Sequence, residues 1–495
     1  MATRATQLPD AFRTLGLTGP GYWVFAILLA LIILAGGYMV VFDQWVVGLG
    51  ATAMNNRVSW GLEIVNFVFF IGLSAGGIII AALAHVFGIR EYKPVARVAE
   101  VLAISCLILA LFFILVSVGR PDRLLNLLLY MRLGSPLVWD VIIINLYLAM
   151  ALALGYFGTR ADVVRCMKAL PQRAGLYKLL ALGYTSLSEK ALARDRVVLK
   201  VLSFIAIPGA VALHSLTAWI LGLIKAKPFW NSALMAPLFV ASAVVSGLGL
   251  LIATAVLSRR FFRADIQMGT IRSMGRVLLY MIPLLGYFLF AELLTVVYPN
   301  VPQDMNVFRE MFVGRFAPAF WFQLIVGLVV PFLLLLYFLP MPEGAPVRVP
   351  LTAGLVRARA WTVGIAGVVA VVTAVSLFSR SPTMMATGQT ALPMLPSAAA
   401  TSLLVGAILM LAAAWLTPMW GIALAGGLVA LGVLGERFNV VIAPFTTPLL
   451  PYPPTSYAPN WQEIVVTLGI YALGGLAFII FAKLFPLVDL EDRPK

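Results

Sequence analysis

The sequence predicts an all-α fold, a polytopic transmembrane helix bundle of about 10–12 spans, on three observations. Of 495 residues, 62% are hydrophobic and 11% charged, with a mean hydropathy of +1.00; a soluble globular chain is about a quarter charged. The apolar stretches are continuous and near 20 residues long, not short runs of alternating polarity. Only helices and closed barrels satisfy their backbone hydrogen bonds in lipid, so continuous runs leave helices.

The first 20 residues are mildly polar and end in Gly19-Pro20. They lack the short apolar core and small-residue cleavage site of a signal peptide, so the first apolar segment is expected to stay as a helix. Apolar windows then fall near 21–42, 60–87, 95–118, 137–158, 198–225, 232–257, 273–298, 318–339, 361–379, 401–416, 418–435 and 464–485. That makes twelve, although 401–416 is short and Thr417-Pro418 leaves little room for a turn, so ten or eleven crossings also fit. Lysine and arginine set the orientation. Both terminal stretches and the loops after even-numbered windows hold 25 of the 35, and the loops after odd-numbered windows hold 10. The positive-inside rule then puts both termini in the cytoplasm. The richest loop, 159–200, carries nine of these residues and reads as a topology anchor. The net charge of +15 therefore calls for no nucleic acid; the bilayer is the partner.

The windows also pair along the chain. NFVFFIGLSAGGIIIAALAHVF from Asn66 and APLFVASAVVSGLGLLIATAVLS from Ala236 align through their Ser- and Gly-rich centres at an offset near 172. The third and seventh windows share an arginine near the start (Arg97, Arg276) and a proline after the end (Pro121, Pro299). SPLVWD at 135–140 matches APAFWF at 317–322, pairing Pro136 with Pro318 and Trp139 with Trp321. Matched helices run the same way through the membrane, so two parallel-repeat four-helix bundles plus additional helices are expected. Phe322 stands where the first copy has Asp140, which points to chemistry in the first bundle that the second lacks.

Polar groups that are costly to bury converge on the outer leaflet. Glu63 opens the second window and Asp140 the fourth; His214 lies two-thirds of the way outward in the fifth, and Glu292 in the outer third of the seventh. Arg120, Asp122 and Arg123 fall in the outer loop before the fourth, and Glu436 and Arg437 close the eleventh. Glu63 and Arg437 could snorkel at helix ends, but His214 lies too deep for that. A buried carboxyl can hold a proton and a histidine can exchange one. That pairing suits a quinone, a carrier of two electrons and two protons. Trp139, Trp219 and Trp230 would suit the mouth of such a pocket, or a plain interfacial belt. On the inner side only Glu100 and His85 offer a proton path.

Two cysteines, Cys106 and Cys166, cannot make a thiolate iron–sulfur or zinc site by themselves. The two histidines, His85 and His214, differ in depth by roughly 20 Å on these windows, too far for a shared haem. Neither haem nor metal is expected in this chain.

In WGLEIVNFVFFIGLSAGG (60–77), SVGRPDRLLNLLLY (117–130), SPLVWDVIIINLYL (135–148), ALHSLTAWILGLIKAKPFWNSALMAPLFVASAVVSG (212–247) and GERFNVV (435–441) the chain resembles the polysulfide reductase/NrfD family of membrane subunits. Its length is similar to that of the long members, such as the membrane subunits of alternative complex III. The resemblance implies a haem-free bundle in a prokaryotic cytoplasmic (inner) membrane that binds a quinone, menaquinone or ubiquinone, near the outer surface. It implies an iron–sulfur subunit with ferredoxin-like clusters as partner, relaying electrons to or from a molybdopterin catalytic subunit or a multihaem cytochrome. Carried over residue by residue, it points to Asp140 and His214 as the catalytic groups. Asn66, Arg120 and Asp122 come next on the resemblance; the reading by depth adds Glu63, Trp139 and Trp219 as quinone contacts and Glu292, Glu436, Glu100 and His85 as the proton path. The chain departs from the family pattern at Ser117, Ile220 and Asn231, where other members carry ionisable residues.

The division that follows is 1–59 for an N-terminal tail and first helix, 60–225 for a quinone-reactive four-helix bundle, and 226–340 for three helices of the second bundle. An inserted helix pair takes 341–416, and 417–495 holds the final helices and C-terminal tail. The function expected is a quinone-binding membrane anchor subunit of a respiratory oxidoreductase, without a complete active site of its own. The alternatives are a secondary transporter, whose binding residues would lie at mid-membrane and come from both halves, and a purely structural anchor.

Overall fold

The computed structural model describes residues 19–342, 394–413, 415–449 and 455–488, so the window at 361–379 lies outside the described residues. Within them all regular structure is helical. Helix α1 spans Pro20–Tyr38 and continues through π-helical turns at Met39–Val47. Next come α2 (Leu62–Val86), α3 (Lys93–Ser117), α4 (Pro136–Ala169), α5 (Glu189–Gly222), α6 (Met235–Phe261) and α7 (Met268–Val297). Helix α8 runs Ala317–Phe338 with π-helical turns at its centre, followed by α9 (Met394–Ala413), α10 (Pro418–Thr446) and α11 (Trp461–Leu484). Ten of these, all but α9, are long and apolar enough to cross a membrane.

Sequence dictates most of the ends. Proline occupies the first turn of α1, α3, α4, α8 and α10, where its missing N–H costs nothing. Ser188 caps α5 by accepting the Ala191 N–H. Asn460 and Glu463 form a reciprocal capping box on α11.

Helix α2 is the centre of the molecule. It packs against α3, α5, α6, α10 and α11, and 89% of its most apolar stretch is buried, against 11% for α1. On α1, Trp23, Phe25 and Leu31 stand exposed, as a lipid-facing helix requires. Helices α2–α5 form one group and α6, α7, α8 and α10 a second, joined along α2, α6 and α10. Helix α11 lies against α1 and α3.

Two boundaries differ from the hydropathy windows. Helices α4 and α5 are each 34 residues long, about 51 Å, and outrun a hydrocarbon core of roughly 30 Å. Their polar extensions hold several basic residues of the stretch read as a loop at 159–200. Helix α10 does not stop near 435 but continues to Thr446, so Glu436 and Arg437 lie inside it, 2% and 1% exposed, and do not close it at the surface. A hydropathy window ends at adjacent charges whether or not the helix does.

Candidate functional site

Asp140 sits on the second turn of α4, one turn beyond the Pro136 start. Its buried carboxylate faces α5, where Thr217 Oγ1 donates to Asp140 Oδ1 at 2.6 Å. That hydroxyl is also 3.0 Å from the Leu213 carbonyl, so one proton has two acceptors. His214, three residues earlier on α5, turns toward α2. Its Nδ1 is 2.6 Å from the Ala210 carbonyl and its Nε2 is 3.2 Å from the Ile71 carbonyl. A neutral imidazole donates through one nitrogen only, so it bonds one of these carbonyls at a time, and the tautomer sets which. Helix α5 therefore supports both residues on separate hydrogen bonds; no bond joins Asp140 to His214 among the described residues.

Glu63 and Asn66 belong to a different cluster, facing α11 and the π-helical end of α1. Gln44 Nε2 donates to Glu63 Oε1 at 3.0 Å. Asn66 accepts from Tyr471 OH at 2.6 Å and donates to the Leu62 carbonyl at 2.9 Å. Glu463, fully buried at the start of α11, accepts from Tyr457 OH at 2.6 Å and from the backbone N–H groups of Ala53 and Asn460. Burial first, then the hydrogen bond to Glu463, pushes the Tyr457 phenol above its usual range, so it stays a donor. The buried Glu63 Oε2 and Gln44 Oε1 have no partner among the described residues.

A third cluster lies in the second helical group. Arg437 reaches Glu436 at 3.3 Å, donates to Ser242 Oγ, and stacks its guanidinium 3.8 Å from the centre of the Phe239 ring. Beside it is a cavity of about 60 Å³ with mostly apolar walls, into which Glu292, Gln323, Glu436 and Asn439 bring polar groups. Glu436 Oε2 and both amide atoms of Asn439 are buried there without a partner among the described residues. Glu292 accepts from Ser232 Oγ at 2.7 Å.

The remaining expected residues stand apart. Arg120 makes a bidentate pair with Asp122 at 3.0 and 2.9 Å on the exposed surface, and that hydrogen bonding holds the Asp122 carboxyl below its usual range. Trp139 donates to the Leu133 carbonyl and Trp219 is 44% exposed. Trp230, in the connection between α5 and α6, is fully buried, stacked on Trp60, and donates to the Val440 carbonyl at 2.7 Å. At the opposite end of the bundle His85 Nε2 meets Glu100 Oε1 at 2.9 Å. His85 lies fourteen residues past Ile71 on α2, about 21 Å along the helix, so no single haem spans both imidazoles. No group of three or more His, Cys, Asp or Glu side chains that could hold a metal gathers among the described residues.

Sequence reasoning missed Gln44, Thr217, Asn439, Tyr457, Glu463 and Tyr471. Only Glu463 carried a local signal, the Asn-x-x-Glu capping pattern at 460–463. The others are single polar residues within apolar or loop context, and Gln44, Thr217 and Tyr471 meet side chains far away in sequence.

Ten membrane-length helices packed into one all-helical bundle define a multi-pass helical membrane protein. Residues 50–371 match the family model described as polysulphide reductase, NrfD, and the chain belongs to that family. It is 34% identical, over 67% of its length and 72% of the relative's, to a putative dimethyl sulfoxide reductase membrane subunit of Halobacterium salinarum. Similarity to the Hdr-like menaquinol oxidoreductase integral membrane subunit of Archaeoglobus fulgidus is 29% identity over 64% of this chain and 71% of that one. For a selenate reductase subunit of Mesobacillus selenatarsenatis the figures are 28%, 58% and 69%.

Proposed function

We propose that this chain is the quinone- or quinol-reactive membrane subunit of a multi-subunit respiratory oxidoreductase. It exchanges electrons with an iron–sulfur partner at the outer face, and that partner serves a molybdopterin subunit or a multihaem cytochrome. The observation that carries the reading is Asp140, an acid inside a membrane-spanning helix with one hydroxyl as its side-chain donor. Such a group is expensive to keep in lipid unless it handles a ligand or a proton. The relatives support the same reading, since their names place them in reductase and menaquinol oxidoreductase complexes. The name of the Archaeoglobus fulgidus relative favours menaquinone over ubiquinone.

Around the cavity beside Glu436 the residues fit a quinone in chemical type: two acids and two amides set in apolar walls. The cavity beside Glu436 does not fit one in size. At about 60 Å³ it suits two waters, so the head group is assigned to the Asp140 side and the cavity to protons. A bound quinol supplies two electrons and two protons. Thr217 orients Asp140 through Oδ1 and leaves Oδ2 to hold a proton. His214 keeps Nδ1 on Ala210 and has the longer contact, Nε2 to Ile71, to give up. Glu436 and Glu292 line the water-sized cavity as proton holders, with Ser232 fixing Glu292. Glu100 and His85 do the same at the far end.

Purification from native membranes tests the reading. A co-purifying iron–sulfur protein together with bound quinone supports it. Partner without quinone reduces the chain to an anchor, and solute uptake by the reconstituted chain alone makes it a transporter.

A further inference from the structure

The end of the bundle opposite Asp140 holds a second, larger cavity of about 360 Å³, between the end of α2, the start of α3, the extension of α4 and the start of α5. Its depth can be counted on each helix separately. A hydrocarbon core of about 30 Å takes roughly 20 residues of helix. Counted from Pro136 on α4, that length ends near Tyr156, and Phe157 to Arg165 line the cavity just beyond. Counted back from Gly222 on α5 it ends near Ser203, and Leu192 to Lys200 line it. From Leu62 on α2 and back from Ser117 on α3, the counts reach His85 and Arg97 to within a turn. Four independent counts place the cavity at head-group level, on the side that the basic-residue bias assigns to the cytoplasm.

The charge of the lining is unbalanced. Lys93, Arg97, Arg165, Arg196 and Lys200 face the carboxylates of Glu100, Asp162 and Asp195, an excess of two positive charges before His85 is counted. The ion pairs present hold the walls. Asp162 binds Arg97 and Arg165, each at 2.6 Å, Asp195 binds Arg160, and Glu100 meets His85. These contacts tie α3 to α4, α4 to α5 and α2 to α3, yet they leave the volume between them open. A network that served structure alone would need neither the excess charge nor the space. Ligand pockets run on the order of 300–1,000 Å³, and basic pockets between membrane helices on this side suit phosphate head groups.

The geometry points to a binding site for an anionic phosphate group at the inner head-group level, independent of the quinone reading. An anionic phospholipid and a soluble phosphate are the two sources of that chemistry. The test uses the full chain, purified with its partner subunits, in nanodiscs of phosphatidylcholine. One arm adds a minor fraction of phosphatidylglycerol and counts retained molecules by native mass spectrometry. The other adds inorganic phosphate and follows the unfolding temperature. The lining variant Lys93→Gln/Arg196→Gln/Lys200→Gln changes exposed side chains only. Its control, Lys168→Gln/Lys178→Gln/Lys190→Gln, removes three exposed cations from the same end that do not line the cavity.

Retention of phosphatidylglycerol falling about tenfold or more in the lining variant, with the control unchanged, supports the site and a lipid source. A phosphate-induced shift that the lining variant alone loses, with lipid retention unchanged, supports the site and a soluble source. Equal losses in lining and control variants overturn the proposal, as does a lining variant that neither probe separates from the wild type.

Discussion

Gly76 on α2 and Gly247 on α6 meet backbone to backbone. A Cβ on Gly76 would stand 2.3 Å from the Gly247 carbonyl carbon, and a Cβ on Gly247 would stand 2.6 Å from the Gly76 nitrogen. The contact is reciprocal, and its interval of 171 residues falls beside the offset near 172 at which the two stretches align in sequence. Gly72 faces Ala243 at the same interval, 3.9 Å from a Cβ position. Matched positions touching each other is what an axis relating two similar helices produces. Small residues at the crossing let the backbones close to dispersion contact, the main attraction available to helices in lipid.

A side chain at that crossing has nowhere to go. Gly76→Ala is expected to destabilise by about 1–3 kcal/mol, and Gly76→Leu to prevent assembly of the bundle. Gly286→Ala, on α7 with nothing within 4 Å of its Cβ position, is the comparison and should be neutral or slightly stabilising. Thermal unfolding in detergent measures all three. Equal behaviour of Gly76→Ala and Gly286→Ala would show that the helices separate freely at this point.

Asp140 and Thr217 carry the second prediction. Asp140→Asn preserves shape and the contact to Thr217 but removes the ionisable proton, and quinol-linked turnover should fall roughly a hundredfold with normal assembly. Thr217→Val keeps the acid and loses its orientation, at a cost of about tenfold. His214→Ala should also lower turnover without loss of partner subunits. Turnover is measured with a menaquinol analogue, and assembly by co-purification. Wild-type turnover in both Asp140→Asn and His214→Ala removes them from the site.

How far the sequence reached depends on the kind of signal. Hydropathy located the ten long helices to within several residues at most ends, because a 20-residue apolar run is a property of the chain alone. It failed at 436–437, where two charges stay inside a helix because Ser242 and Phe239 of α6 cover the guanidinium. It failed again beyond 158, where α4 leaves the lipid and continues as polar helix. For the outer groups, helical rise supplied depth but not azimuth. Glu63, Asn66, Asp140 and His214 all lie toward one end, yet Glu63 turns to the end of α1, Asn66 to α11, Asp140 to α5 and His214 to α2. Which face a lone polar residue presents to which neighbour is settled by packing, and no local pattern encodes it.

Arg437 and Glu436 form the third test. Arg437→Met leaves Glu436 buried without its cation and is expected to cost about 3–5 kcal/mol, seen as a lower unfolding temperature. Arg437→Met combined with Glu436→Met removes both charges and should recover most of the loss, because an apolar replacement of a buried pair is often neutral. A double variant no more stable than the single one would show that the pair does not act as a unit.

The last prediction concerns pH and the short helix Pro302–Phe312 outside the spans. Burial raises the Asp304 carboxyl above its ordinary value of 3.8, and its Oδ1 has no hydrogen-bond partner among the described residues. Below 3.8 the acid is protonated in the folded and unfolded chain alike, and its burial costs little. Above the raised folded value it is ionised in both states and the full penalty applies. Between the two the folded chain binds more protons, so this group's contribution to stability falls as pH rises through the window. Asp304→Asn should therefore raise the unfolding temperature at neutral pH, and the gain should shrink to nothing as pH falls to the ordinary carboxylate range. A thermal gain of equal size at every pH would mean that the side chain's shape, and not its charge, sets the effect.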